Sequence, residues 1–178
     1  MENGLVQVFW GTGKGKTTSA IGTALRACGN GYKVHMVQFM KNGTGDSEID
    51  YPGELKALEK FPSFSYKRFG TGSWVIRKPT QEHKEKVNEA FDYLKSTFNE
   101  DYDIIIADEI LYAIQLNLLS EDDVINLIES KPKDKELILT GSHKPFPKIF
   151  EKADLVTEIK KIKHPYDNGI MARKGLEY

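Results

Sequence analysis

The apolar run Leu5 to Trp10 (LVQVFW) breaks directly into Gly11-Thr12-Gly13-Lys14-Gly15-Lys16-Thr17-Thr18, and the residues beyond it repeat with helical spacing. Ile21, Ala24, Leu25 and Cys28 fall on one face of that helix, and Gly29 with Gly31 stops it. A strand, a glycine loop and a helix in immediate succession aim backbone N–H groups and the positive helix end at one point, where an anion is stabilised. Glycines remove the Cβ atoms that would obstruct the approach. Lys16 adds a point charge, and Thr17 has the position whose hydroxyl ligates Mg²⁺ on bound phosphates. The loop therefore reads as a phosphate cradle with one anomaly. The spacing G-x-x-x-x-G-K-[ST] requires a glycine at position 10, which is Trp10, so the loop is one residue short.

The rest of the chain alternates between the two periodicities. Strands are expected at Lys33 to Met40, Ser65 to Phe69, Asp103 to Ala107, Glu136 to Thr140 and Leu155 to Ile159. Helices are expected from Glu54, over Gln81 to Phe98 behind a Thr80 cap, from a Ser120/Asp123 capping box to Ser130, and over Pro147 to Lys152. An uninterrupted Ile104-Ile105-Ile106 between helical segments describes a strand buried on both faces. This order predicts an α/β fold, a doubly wound, mostly parallel sheet with helices on both faces, of the P-loop NTPase or RecA-like kind. Ligands of such sheets bind beyond the carboxyl ends of the strands, which gathers Gly11 to Thr18, Lys41, Asp108-Glu109 and Gly141 to His143 at one rim.

Composition narrows the function. In 178 residues, 25 Lys and Arg stand against 26 Asp and Glu, a net charge of -1, which disfavours nucleic acid as a partner. No apolar run is long enough to span a membrane and no signal-peptide pattern follows Met1, so a cytoplasmic enzyme is expected. Residues 1–178 contain no linker, which predicts a single domain. The one cysteine, Cys28, rules out an internal disulfide and reads as helix packing. His143 and His164 lack a second ligand at metal spacing, which argues against zinc.

Asp108 closes an apolar strand, where a Walker-B carboxylate holds Mg²⁺, and Glu109 follows it. Phe69 to Trp74 (FGTGSW) sets aromatics around two glycines, a pattern that either covers a large flat ligand or packs on the sheet edge. The tail from Lys160 is basic and aromatic without helical period, and its Ile170, Met171, Leu176 and Tyr178 suggest a segment laid over the domain.

This ordered series resembles the P-loop-type ATP:corrinoid adenosyltransferases over most of the chain. The shared pieces are the short loop Gly11 to Thr18, Arg26 in LRACG, and Gln38-Phe39-Met40-Lys41 at a strand end. They continue with Gly70 to Trp74, Asp108-Glu109, Thr140-Gly141, ADLVTE from Ala153 to Glu158, and the ending KHPYDNGIMARKGLEY from Lys163 to Tyr178. The resemblance implies that a corrinoid reduced to Co(I) attacks the 5′-carbon of ATP and displaces the whole triphosphate, with ATP as co-substrate and Mg²⁺ as cofactor. So strong a nucleophile needs no general base; the protein supplies alignment and charge neutralisation. By carry-over, Gly11 to Thr18 hold the triphosphate, with Lys16 and Glu109 aligning it. Thr17 with Asp108 or Glu109 holds the metal, Arg26 and Lys41 touch the nucleotide, and Phe69 and Trp74 face the corrin. A homodimer and a flavoprotein reductase are implied as partners.

Two departures stand out. The family's glycine loop carries an aromatic and a threonine before its Trp, where this chain has Ser73 alone. The family's TG turn continues with arginine, where this chain has Ser142-His143-Lys144. The alternatives are a P-loop ATPase or kinase acting on the γ-phosphate, and a non-catalytic nucleotide-binding domain.

Overall fold

The computed structural model describes residues 2–41, 51–72 and 78–176. In chain order the elements are β1 (Val6–Trp10), α1 (Lys16–Gly29), β2 (Val34–Gln38), α2 (Gly53–Leu58), β3 (Phe64–Arg68) and α3 (Gln81–Ser96). They continue with β4 (Ile104–Asp108), α4 (Ile110–Gln115), α5 (Glu121–Ser130), β5 (Glu136–Thr140), α6 (Pro147–Lys152) and β6 (Leu155–Glu158). Short 3₁₀ turns follow α3 at Thr97–Asn99 and lie in the tail at Pro165–Asn168.

The six strands form one sheet in the order β3-β2-β4-β5-β1-β6, and every neighbouring pair is parallel. The sheet is thus wholly parallel where the sequence predicts a mostly parallel one. Strand residues alternate cleanly between two apolar cores. Val6, Val8, Val37, Ile105, Ala107, Leu137 and Leu139 face the side covered by α3 to α6. Phe9, Val34, Met36, Ile104, Ile106 and Ile138 face the side covered by α1 and α2. Both faces of the central strands are dry, which is why β4 reads as IIIAD without alternation.

Local chemistry fixes the helix starts. Thr80 accepts from the His83 N–H while His83 accepts from the Thr80 N–H, and Ser120 and Asp123 make the same reciprocal pair ahead of α5. The helix α4 has no counterpart among the sequence-based expectations. Ile110–Gln115 is apolar almost throughout, and a helix enclosed on nearly all sides carries no amphipathic period. Cys28 is buried in the α1 face, as packing requires.

Candidate active site

The missing glycine has a structural cause: β1 runs through Trp10. Its indole packs on Phe150 at 5.1 Å between centroids, and its carbonyl accepts from Ile159 N–H. The loop opens one residue later. Its first two glycines are set by the strand exit beside them. A Cβ on Gly11 would lie 2.4 Å from the Ile159 carbonyl oxygen, and one on Gly13 would lie 2.8 Å from the Lys160 carbonyl carbon. Gly11 N–H donates to Ser142 O and Gly13 N–H to Ile159 O, so these two donors hold the loop to its scaffold. Gly15 has open space around it but φ +122 at the cap of α1, a conformation that only glycine adopts without strain. The first N–H groups of α1 have no intrahelical partner, and donors of this kind can hold an anion. Lys16 Nζ lies across the loop mouth on the carbonyls of Gly11 (2.8 Å) and Gly13 (2.9 Å).

Asp108 is the hub of the site. It is fully buried, and side chains from four places bond to it. Thr17 and Thr140 hydroxyls donate to Oδ1 at 2.8 and 2.7 Å; Gln38 Nε2 and Lys41 Nζ donate to Oδ2 at 3.0 and 2.9 Å. Register explains the meeting, since Gln38 and Asp108 are paired across β2 and β4 and both face α1. Lys41 Nζ also reaches Thr17 Oγ1 at 3.1 Å and Glu109 Oε1 at 3.6 Å.

Electrostatics follow from this packing. Burial alone would raise the Asp108 carboxyl, but Lys41 and the hydroxyl donors hold it below the usual carboxylate range. Burial pushes the Glu109 carboxyl up and the charge of Asp108 adds to this, with Lys41 and Lys16 opposing. Burial works against the Lys41 ammonium, yet Asp108 and Glu109 overcome it and hold its proton. Burial also lowers Lys16, and Glu109 partly offsets the loss.

Three residues beyond the strand ends, Met40, Glu109 and Ser142, are non-glycine residues with φ of 57, 65 and 65. Strain of this kind persists where surrounding structure over-determines it, and it clusters at functional sites. All three belong to the rim that carries Asp108. Beside them lies a cavity of about 220 Å³. Lys16, Lys41 and Glu109 make its charged side, and Phe39, Met40, Tyr112 and His143 its apolar and aromatic side. No nucleophile–base pair faces it among the described residues.

The donor set fits a hard cation. Thr17, Asp108 and Glu109 offer oxygens, and Gln38 Oε1 is a buried oxygen with no partner among the described residues. No cluster of three metal-binding side chains occurs among the described residues. A hard cation such as Mg²⁺ takes one or two carboxylates and completes its shell with waters and substrate phosphates.

The comparisons with known proteins agree with this geometry. Residues 2–178 match the family model described as ATP:corrinoid adenosyltransferase BtuR/CobO/CobP. The chain belongs to the ATP:corrinoid adenosyltransferase family. It is 33% identical to the corrinoid adenosyltransferase of Escherichia coli K12 over 99% of this chain and 87% of that protein. It is 32% identical to corrinoid adenosyltransferase CobA of Salmonella typhimurium over the same shares. Among solved structures, the flagellar accessory protein FlaH of Methanocaldococcus jannaschii superposes with a TM-score of 0.52 at 14% identity, over 89% of this chain and 72% of FlaH. The RadB recombinase superposes with a TM-score of 0.50, also at 14% identity, over 92% and 77%. These last two show the fold, a P-loop NTPase of RecA-like form. Family membership makes the chain an enzyme, a transferase that moves the adenosyl group of ATP to a corrinoid in cobalamin biosynthesis.

The cavity and the residues around Asp108 draw in some of the predicted residues and leave others apart. Lys16, Thr17, Lys41, Asp108 and Glu109 converge. Thr12 Oγ1 accepts from the Lys161 N–H, and Lys14 Nζ donates to Leu176 O, so both face the tail. Thr18 lies in a neighbouring cleft with Ile21 and Glu54. Arg26 sits exposed in the last turn of α1, ten residues or about 15 Å of helix from Lys16, and is not gathered into the cavity. The Phe69 ring is buried in the core against Tyr93, just beyond the end of β3. Trp74 lies outside the described residues. Sequence reasoning gave no role to Gln38 and Thr140, although both stood in the shared motifs, and it missed Tyr112 entirely.

Proposed function

We propose that this cavity is where adenosyl transfer occurs, with Lys16, the start of α1 and Lys41 neutralising the triphosphate as it leaves. The observation that carries this reading is the two-sided lining: ammonium groups on one wall, Phe39, Met40 and Tyr112 on the other. The chemistry asks for no more. The cobalt electron pair forms the Co–C bond at the 5′-carbon, the C–O bond breaks, and the triphosphate carries that electron pair away. Stabilising a leaving polyanion in a site that excludes water is a task for fixed cations and helix N–H groups. Mg²⁺ would be held by Thr17, Glu109 and, through its hydrogen bonds, Asp108; it would supply further charge neutralisation at the phosphates. Glu109 is the carboxylate with oxygens open to the cavity, while all four bonds counted at Asp108 tie it to the protein.

The remaining parts of the reading are these. Residues 1–178 act as one adenosyltransferase domain in the cytoplasm; no helix among the described residues is long and apolar enough to cross a membrane. A flavoprotein reductase supplies the electrons that generate Co(I), and Trp74 meets the corrin. A second copy covers the outer edge of β6, where Leu155 and Val156 are exposed beside Ile162, Tyr166 and Met171 of the tail.

Anaerobic incubation with MgATP and chemically reduced cobalamin tests the reading. A light-sensitive Co–C product with intact triphosphate is expected. ADP and phosphate with an unchanged cobalamin spectrum would overturn it in favour of γ-phosphate chemistry. Lys16→Ala should lower adenosylation by about 100-fold or more by removing the principal phosphate cation.

A further inference from the structure

The turn after β5 differs from the family pattern, and the structure shows what each substituted residue does. Ser142 stands where the arginine is expected and is buried. Its hydroxyl accepts from Lys144 N–H (2.9 Å), and its single hydrogen has Lys144 O (2.7 Å) and Gln115 Oε1 (3.0 Å) as acceptors within reach. It is committed to the turn. The same Gln115 Oε1 accepts from the His143 N–H at 2.7 Å. The last residue of α4 therefore holds the Ser142 side chain and the His143 backbone, with Ser142 at φ 65, and the His143 side chain lies in the cavity wall. The His143 ring stands 5.6 Å from the Tyr112 ring, tilted by 54°, and lines the cavity with Lys16, Lys41 and Glu109.

We propose that His143 is a phosphate-binding residue of the nucleotide site, its ring lining the cavity with Lys16, Lys41 and Glu109. This rests on the adenosyltransferase reading only in that the nucleotide enters this cavity. Lys16 rests on the loop carbonyls and Lys41 on Asp108, so each exchanges a partner when it turns to a phosphate. His143 carries no such bond from its ring among the described residues and can turn to an incoming anion. The groups that face it are Lys16 from α1, Lys41 from the end of β2, Glu109 from the end of β4, Tyr112 and Gln115 from α4, and Lys144 on its own turn. Before ligand arrives, partial burial and the Lys16 charge keep the ring neutral below its ordinary value. A polyphosphate beside it reverses that balance and draws a proton onto the ring.

The test is MgATP affinity by calorimetry between pH 8 and pH 6, in wild type, His143→Gln and His143→Arg. Wild-type binding should tighten relative to His143→Gln by about tenfold for each unit by which the phosphates raise the ring. His143→Arg should hold the tight binding at pH 8. Inorganic tripolyphosphate should reproduce the difference between wild type and His143→Gln, and adenosine should not. Parallel pH profiles for wild type and His143→Gln, or an equal loss for adenosine and tripolyphosphate, would overturn the assignment. If the wild type formed no Co–C product while the pH-linked difference persisted, the transfer reading would fail and the phosphate contact would stand.

Discussion

Where β1, β4 and β5 begin, Lys135 Nζ donates to the carbonyls of Glu100 (2.7 Å) and Tyr102 (2.6 Å), and Lys131 Nζ to those of Gly4, Pro132 and Lys135. At the same edge Glu136 accepts from Leu5 N–H and Gln7 Nε2. Where the same strands end, Lys41 donates to a carboxylate and a hydroxyl that belong to other elements, and the Asp108 carboxylate accepts from four side chains. Both rims bury charge. At the first, carbonyls fixed in the main chain bind the ammonium groups, an arrangement that cannot redistribute without unfolding the edge. At the second, Lys16 also rests on main-chain carbonyls, but Asp108 and Lys41 share their charge with side chains, and an incoming phosphate or cation can exchange partners one at a time. Only the second rim carries the strained residues Met40, Glu109 and Ser142. Burial of charge therefore does not identify the site here; the kind of partner does.

Asp108→Asn attacks the second rim directly. It leaves the Lys41 ammonium with Glu109 alone, at 3.6 Å, and should cost about 3 kcal/mol of stability. Adenosylation should fall with it by about 100-fold or more. Denaturant unfolding and the Co–C assay read both; an unaltered stability would mean that the ion pair does not hold this rim together. The pH sign is fixed by the depressed carboxyl. Its contribution is present above the unfolded value near 3.9 and is lost as pH falls through the folded one, so the gap between wild type and variant closes only in strong acid.

A second acid effect has to be separated from that one. His35 lies on β2, stacked on Tyr102 at 4.6 Å and bonded through Nδ1 to the Ser65 hydroxyl at 2.7 Å. Burial, with Lys67 adding to it, lowers its pKa to about 4. A histidine held neutral in the fold contributes fully above pH 6.5, and this is lost as pH falls from 6.5 toward 4. The fall amounts to at most about 3 kcal/mol. Stability measured across that window in wild type and His35→Met should show the loss in wild type only. A slope that survives in His35→Met would move the effect to another group.

The parts of this machinery that sequence reading recovered are those whose chemistry is local. A glycine loop between strand and helix announces itself, and Asp108 is conspicuous at the end of an isoleucine run. Gln38 and Thr140 are not, because a polar residue closing an apolar strand looks like the start of a turn; only the register of β2, β4 and β5 brings them to Asp108. Phe69 was no easier to place: its neighbours Gly70 and Gly72 suggest a loop, yet its ring, one residue beyond β3, belongs to the buried core. The helix α4 was hidden by its own burial, and with it Tyr112 and Gln115, which build the wall and the turn around His143.

Lys135→Met gives the smallest effect and tests the first rim. The substitution keeps the length and apolar stem of the side chain but leaves the Glu100 and Tyr102 carbonyls without their charged donor, a loss of about 1–3 kcal/mol. Because those carbonyls are far from the strand ends that carry Asp108, MgATP affinity and the adenosylation rate should stay within about twofold of wild type. Unfolding and ATP titration on the same preparation separate the two quantities. A variant that lost activity in proportion to stability would show that the rims are energetically coupled through β4 and β5, and the contrast between an anchoring edge and a working edge would collapse into one cooperative sheet.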